Sequence, residues 1–265
     1  MFWPVICGAA VLSLFLCLLR SLPGFVDGLP RIGAVRQTSP RIIFYDGSVE
    51  WALAGGKIIS GGPSRDPDNT GLTNVLRPGL LMGKISSVIN GLGTVGQYAP
   101  SIIGKTGGAY TAGGTSLTLT TQAAAELLRR VGSTGSFTLV GPPTSGGVVS
   151  VVTVTYSAIN TGSGVVTITA LAANYISGSL VMPTDGSQNP LTFISEFFNA
   201  GTGINVFDSD DVTAIDQPFE WFPIGAVVYA ANFINYPSDA SLKSWLKSEL
   251  NQPVNGCTFK FDDVF

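Results

Sequence analysis

Residues 75–85 read Val75-Leu76-Arg77-Pro78-Gly79-Leu80-Leu81-Met82-Gly83-Lys84-Ile85, and Gly96-Gln97-Tyr98-Ala99-Pro100 comes soon after. Proline fixes φ and lacks an N–H, and Pro-Gly is a strong turn signal. The first stretch therefore brings one short strand to a turn at Pro78-Gly79 and restarts an apolar strand that ends at Gly83-Lys84. A second proline stop comes at Pro100. Neither stretch carries a reactive side chain, so both read as structural joints.

The rest of the chain is compatible with such joints. It is 45% hydrophobic and 12% charged, where a typical domain is about 25% charged, and it holds 33 glycines. This is too apolar for disorder and fits a β-rich protein with many turns. The low charge has two readings: a surface covered by partner subunits, or a Thr/Ser-rich β surface. Residues 1–130 carry a balance of +5 and residues 131–265 one of −8, within a net −3. No Lys or Arg occurs from Val131 to Leu242. This argues against a nucleic-acid groove there, because phosphate binding depends on clustered cations. Arg31, Arg36 and Arg41 are spaced by apolar residues and prolines and read as part of a solvated arm. Cys257 is alone in the body, so no disulfide framework is expected.

Residues 2–19 form an uncharged run of 18 residues, the minimum for a membrane span. Three readings stand: an artefact of the translation start, a membrane anchor, or a secretory signal. The signal reading lacks a preceding basic residue and a small-residue cleavage site. As an anchor, the run would leave the body in the cytoplasm, because basic residues come after it.

Residues 23–72 contain Pro23, Pro30, Pro40, Pro63 and Pro67 and read as an extended N-terminal arm with a short strand over residues 41–45. Residues 106–185 read as a compact α+β unit. It has a strand over 116–120, a helix over 122–131 capped by Thr121 and stopped at Gly132, and strands over 136–140, 148–159 and 165–171. Residues 160–164 make a hairpin loop. Glu126 and Arg130 are spaced to pair on the helix surface. The unit reads as an insertion in a loop of a simpler domain, and a sequential domain fits equally. Residues 73–105 and 186–236 read as short strands of that simpler domain. In residues 237–265, Ser238 caps a short helix whose Leu242, Trp245, Leu246 and Leu250 share a docking face, and the tail forms a last edge strand. The expected fold is mainly β, with a small α+β insertion, an extended N-terminal arm and a short C-terminal helix.

Chemistry is hard to find. The chain has no histidine, which excludes His-dependent triads and His-metal sites. Gly91-Leu-Gly-Thr-Val-Gly96 has the spacing of a dinucleotide fingerprint, but Pro100 blocks the helix such a site needs. Gly104-Lys105-Thr106 lacks the upstream glycine of a phosphate loop, with Ala99 in its place. Asp208, Asp210 and Asp211 offer oxygen ligands, yet Thr213 and Phe219 break the EF-hand pattern, and a solvated acidic loop is the preferred reading. Trp51, Trp221 and Trp245 read as core or interface residues rather than a sugar groove. No enzyme activity, cofactor or metal is expected.

The two joints, taken together, resemble the head decoration protein family of tailed phages, of the lambda type. Leu76, Arg77, Pro78, Gly79, Gly83, Lys84, Tyr98 and Pro100 carry the likeness. Gln97 stands where the family usually has lysine, and the spacer is longer. Residues 203–207, 208–216 and 222–228 resemble the family's closing strands. The resemblance implies a short-stranded β-rich domain without enzyme activity, trimeric on the outside of a capsid, whose partners are the major capsid protein and two further copies of itself. It implies assembly in the host cytoplasm and a place in the virion. It also implies an arm that pairs with capsid strands by β-augmentation, with Arg41, Ile42, Ile43, Phe44 and Tyr45 as the contact residues. The segment 106–185 would then be an extra outer lobe. The alternative function is a membrane-anchored or exported β-rich surface protein.

Overall fold

A computed structural model describes residues 41–43, 49–52, 57–197, 203–208, 213–220, 222–252 and 256–262, together with one strand pair nearer the N-terminus. The chain divides into two compact units, residues 1–37 and 38–265. In the first, Phe25–Val26 pairs antiparallel with Leu29–Pro30. The second unit, the body, is mainly β.

At the centre of the body lies a five-stranded sheet in the order Pro190–Phe193, Leu81–Lys84, Tyr98–Pro100, Ile58–Ile59, Gln217–Pro218. Successive residues of a strand face opposite sides, so this sheet separates two cores. Leu81 enters one and Met82 the other. On the first side, a three-stranded sheet carries Pro223–Tyr229 between a parallel Thr258–Asp262 and an antiparallel Glu50–Trp51. The helix Ala240–Leu250 (here α2) packs into the same core through Leu242, Leu246 and Leu250, all fully buried. Trp245 is partly buried beside them.

The remaining strands make a second body of β structure. Gly104–Lys105, Leu180–Met182, Gly135–Gly141, Ser150–Asn160, Val165–Ile168 and Ser116–Thr118 pair in that order, all antiparallel. The two outer strands then meet. Thr106 bridges Leu119, the Gly107 N–H donates to the Thr118 carbonyl (2.9 Å), and the Thr120 N–H donates to that of Lys105 (3.0 Å). The sheet thus curls into a barrel, which protects strand edges that would otherwise invite association. Phe137, Leu139, Val154 and Val166 fill it at 0% exposure. Val140, Leu180 and Met182 point the other way, into the first core, so the barrel and the central sheet share a wall.

The helix Thr121–Arg130 (α1) packs against the barrel's core. Its sequence is rich in alanine and leucine, good helix formers. It buries Ala123, Ala124 and Leu127 completely, and Leu127 alone is worth about 1.5–3 kcal/mol. The cap is Thr120, one residue before the expected Thr121: its extended backbone lets its hydroxyl accept from the Ala123 N–H at 3.2 Å. Likewise Asp239, not Ser238, caps α2, accepting from the N–H groups of Ser241 (2.9 Å) and Leu242 (3.2 Å). The other oxygen of Asp239 accepts from Ser145 Oγ (2.9 Å) and the Gly146 N–H (3.0 Å), tying a barrel loop to α2.

The expected Glu126–Arg130 pair does not form. Glu126 binds Arg129 Nη2 (2.5 Å), which also donates to the Pro63 carbonyl, while Nη1 donates to that of Gly62 (both 2.8 Å). Arg130 turns inward, 2% exposed, and pairs with the equally buried Asp185 at 2.8 Å. It also donates to the Pro100 carbonyl (2.8 Å) and Ser187 Oγ (2.7 Å). Burial alone would raise the Asp185 carboxyl. Arg130 and the Ser187 donors outweigh that and hold it below its ordinary value of 3.8.

The extended arm expected over residues 23–72 is corrected from residue 41 onward. Ile42, Ile43, Ile59, Ser64 and Asp66 are all 0–2% exposed, and Pro63 is buried in a turn. Prolines there shape turns on the body instead of keeping the chain away from it, because the paired isoleucines supply enough apolar area to hold it down.

The lowered Asp185 value fixes a sign. Its contribution is present above the unfolded carboxyl value and is lost as pH falls through the folded one, below 3.8. Asp185→Asn is expected to lose about 3–5 kcal/mol at neutral pH, since Arg130 is left buried without its counter-charge. The variant should also show a smaller further loss in acid than the parent. Urea melts between about pH 2.5 and 7 read both effects, and equal acid limbs in the two proteins would refute the assignment.

Candidate functional site

The two joints singled out from sequence lie side by side. Val75–Leu76 pairs with Ile204–Asn205, and the chain turns at Pro78-Gly79 before entering Leu81–Lys84. That strand then pairs with Tyr98–Pro100: Met82 opposite Pro100, Gly83 opposite Ala99, Lys84 opposite Tyr98. Leu76, Leu80, Leu81, Met82 and Ala99 are each 0–1% exposed, and Tyr98 is 6% exposed, edge-on to Phe219 and Phe222. Pro100 ends its strand and offers its carbonyl to Arg130.

Gly79 carries φ +87°, a conformation that side chains with a Cβ rarely adopt. A Cβ there would lie 2.7 Å from the Asn232 carbonyl oxygen and 2.9 Å from Ile42 Cδ1. The turn is also stitched on both sides, with the Gly79 N–H donating to Ile194 O (2.7 Å) and the Ile234 N–H to Gly79 O (2.9 Å).

Arg77, one of the residues that carry the likeness, is engaged within the body. Its Nε and Nη2 form a fork on the fully buried Asp66 at 2.6 and 3.0 Å. That hydrogen bonding raises the arginine above its ordinary value. Lys84 does project outward. It lines an open groove of about 470 Å³ with Ile85, Ser86, Val95, Asn189 and Leu191. Gln97, the departure from the family pattern, donates to Asp216 at 2.6 Å.

The expected contact residues are placed differently. Arg41 is exposed, but Ile42 and Ile43 are buried in the chain's own core and bound to strand Pro223–Tyr229. They therefore present no side chain to another protein in this state. Phe44 and Tyr45 lie outside the described residues, as do residues 2–19 and Trp221. Among the described residues, no helix is long and apolar enough to cross a membrane.

The remaining motifs resolve into scaffold. A strand, not a helix, comes after Gly91, Gly93 and Gly96. Gly104 and Lys105 form a barrel strand, and the Lys105 ammonium donates to the Tyr236 carbonyl at 3.0 Å. Asp208 closes a short loop with Thr213; Asp210 and Asp211 lie outside the described residues. Trp51 packs edge-on to Phe197 at 5.5 Å against the first core. No three His, Cys, Asp or Glu side chains among the described residues converge as a metal site.

Asp66, Asp185, Glu196 and Asp239 had no place in the sequence reading of function, yet each is an anchoring carboxylate. One signal was available: between residues 131 and 207, Asp185 and Glu196 are the sole charged side chains. An isolated charge in so apolar a stretch needs a partner when it is buried.

Comparison of the chain with protein-family models, curated proteins and solved structures finds no match.

Gly79→Ala is expected to destabilise the fold by more than Gly71→Ala. Both sites have positive φ, but a Cβ at position 71 meets nothing within 4 Å. Backbone strain is worth about 1–3 kcal/mol at either site, and only position 79 adds the collision. Denaturation midpoints of the two variants test this; equal losses would show that strain alone explains the glycine.

Proposed function

We propose that this protein is a structural virion component that binds the outside of a phage capsid as a homotrimer and stabilises the expanded head. The observation that carries the reading is the pairing of the two joints. Of the residues that resemble the decoration family, those in Leu81–Lys84 and Tyr98–Pro100 meet as neighbouring strands of one sheet, and the Pro78-Gly79 turn leads directly into the first of them. Two likenesses separated in sequence thus fall on one structural unit.

The physical character of the body suits such a role. Its buried Arg130–Asp185 pair and the carbonyl contacts of Arg129 and Arg130 join sheet to barrel, and a brace has to transmit load without bending. In the proposed mechanism each trimer bridges several capsid subunits, so weak individual contacts add through effective concentration. Preference for the expanded form stabilises that form by linkage. Because Ile42 and Ile43 are engaged within the body, the arm contacts fall to Arg41, Phe44 and Tyr45.

The expected result is that the protein, with or without residues 1–22, is a trimer by light scattering and co-sediments with expanded but not unexpanded capsids. A monomer that binds neither form would defeat the reading. Equal binding to both forms would defeat the bracing mechanism.

A further inference from the structure

Glu196 lies just after the strand Pro190–Phe193, at the start of a turn. Its Oε1 accepts two successive backbone N–H groups, from Ile42 at 3.2 Å and Ile43 at 2.9 Å. The same short segment is held from the other side. The Tyr229 N–H donates to the Ile42 carbonyl at 2.8 Å, Ile43 bridges Val228, and Asn232 Nδ2 donates to the Arg41 carbonyl at 2.7 Å. Both isoleucine side chains are completely buried. Residues 41–43 are thus a strap pinned between a strand and one carboxyl group.

The second oxygen of that carboxyl group is buried and has no hydrogen-bond partner among the described residues. An ionised carboxylate wants donors on both oxygens, whereas a protonated one places a hydrogen on the orphan oxygen and keeps the other as an acceptor. Two amides can still bind the carbonyl-like Oε1 of the neutral acid. The buried, unpartnered oxygen therefore favours the protonated form, while the amides on the other oxygen favour the charged one.

The surroundings supply little to offset this. Strand Pro223–Tyr229 carries no ionisable side chain except Tyr229, and the turn Ala230–Asn232 and strand Pro190–Phe193 carry none. Arg41 is the charged group whose field acts on the carboxyl, from the exposed side of the strap. Burial outweighs the backbone amides of Ile43, Glu196 itself and Ile42, together with Arg41, and pushes the carboxyl above its ordinary value of 4.5.

We propose that Glu196 is a proton-dependent clasp: in its neutral form it holds residues 41–43 on the edge of strand Pro223–Tyr229, and on ionising it loosens that hold. The proton is bound more tightly when the strap is docked than when the carboxyl faces water. By linkage, docking is most favoured below the free carboxyl value and weakens as pH rises through the docked one. The device stands on this geometry alone and does not require the capsid reading.

Amide hydrogen exchange on the full chain tests it. Protection factors of Ile42, Ile43 and Tyr229, corrected for intrinsic exchange, are expected to fall as pH rises above 4.5, by at most about tenfold per pH unit. Glu196→Gln keeps an acceptor and cannot ionise, so its protection of the same amides should stay constant with pH. A flat profile in the parent protein would overturn the proposal, and so would a Glu196→Gln profile that tracks the parent.

Discussion

The Arg130–Asp185 pair sets how the two halves of the body meet. Arg130 leaves the last turn of α1, which packs on the barrel's core, and reaches the carbonyl that ends the motif strand at Pro100. Asp185 lies where the chain leaves the barrel to rejoin the central sheet, and its own carbonyl accepts the N–H groups of Ser86 (2.7 Å) and Ser87 (3.0 Å). One ion pair therefore links the helix, the motif strand, the loop beyond it and the return segment. Its worth is not mainly net stability. Burying two ions costs several kcal/mol each, and Arg130 Nε finds no partner among the described residues. What the pair does supply is a single permitted seating of the barrel, because any slip would leave two buried charges unmatched.

The same economy runs through the other acids. Asp66 accepts from the Arg77 side chain, Asp216 from the Gly61 N–H, and Asp239 from three backbone N–H groups. In a chain with only 17 Asp and Glu, these are carboxylates used as internal fasteners. A donor held by a charged acceptor makes a stronger bond than a neutral pair does. Few charges therefore suffice to fix loops that have little regular structure of their own. This explains how a net charge of −3 coexists with no acidic cluster fit for metal binding among the described residues.

The β character was legible because it is local. β-branched alternation marked residues 136–140 and 148–159, and the strands run Gly135–Gly141 and Ser150–Asn160. The helix around residues 122–131 was legible for the same reason, and its cap was displaced by one residue because two threonines stand in a row and only the first adopts the extended backbone. What sequence did not show depends on distant partners. The barrel's closure rests on Thr106 meeting Leu119, and neither residue carries a sign of the other. Arg130 looked like a surface partner of Glu126 because helical spacing allows that pair, while Asp185 is 55 residues away. The strap was misread because proline-rich sequence signals an absence of regular structure, which is not an absence of burial. In the candidate site, the motif strands were readable and the carboxylates that fasten them were not.

The motif turn and the strap are one construction. Ile42 approaches the turn so closely that Gly79 has no room for a Cβ, and Asn232, which approaches from the other side, also holds the Arg41 carbonyl. Ile194, which accepts the Gly79 N–H, is two residues before Glu196. A change at the turn is therefore felt by the strap through direct contact, and a change at Glu196 is felt by the turn through a short stretch of backbone. Gly79 answers two demands at once, a positive φ and a seat for Ile42. The Pro-Gly joint thus does more than connect two strands: it is part of the surface against which residues 41–43 are fastened to strand Pro223–Tyr229.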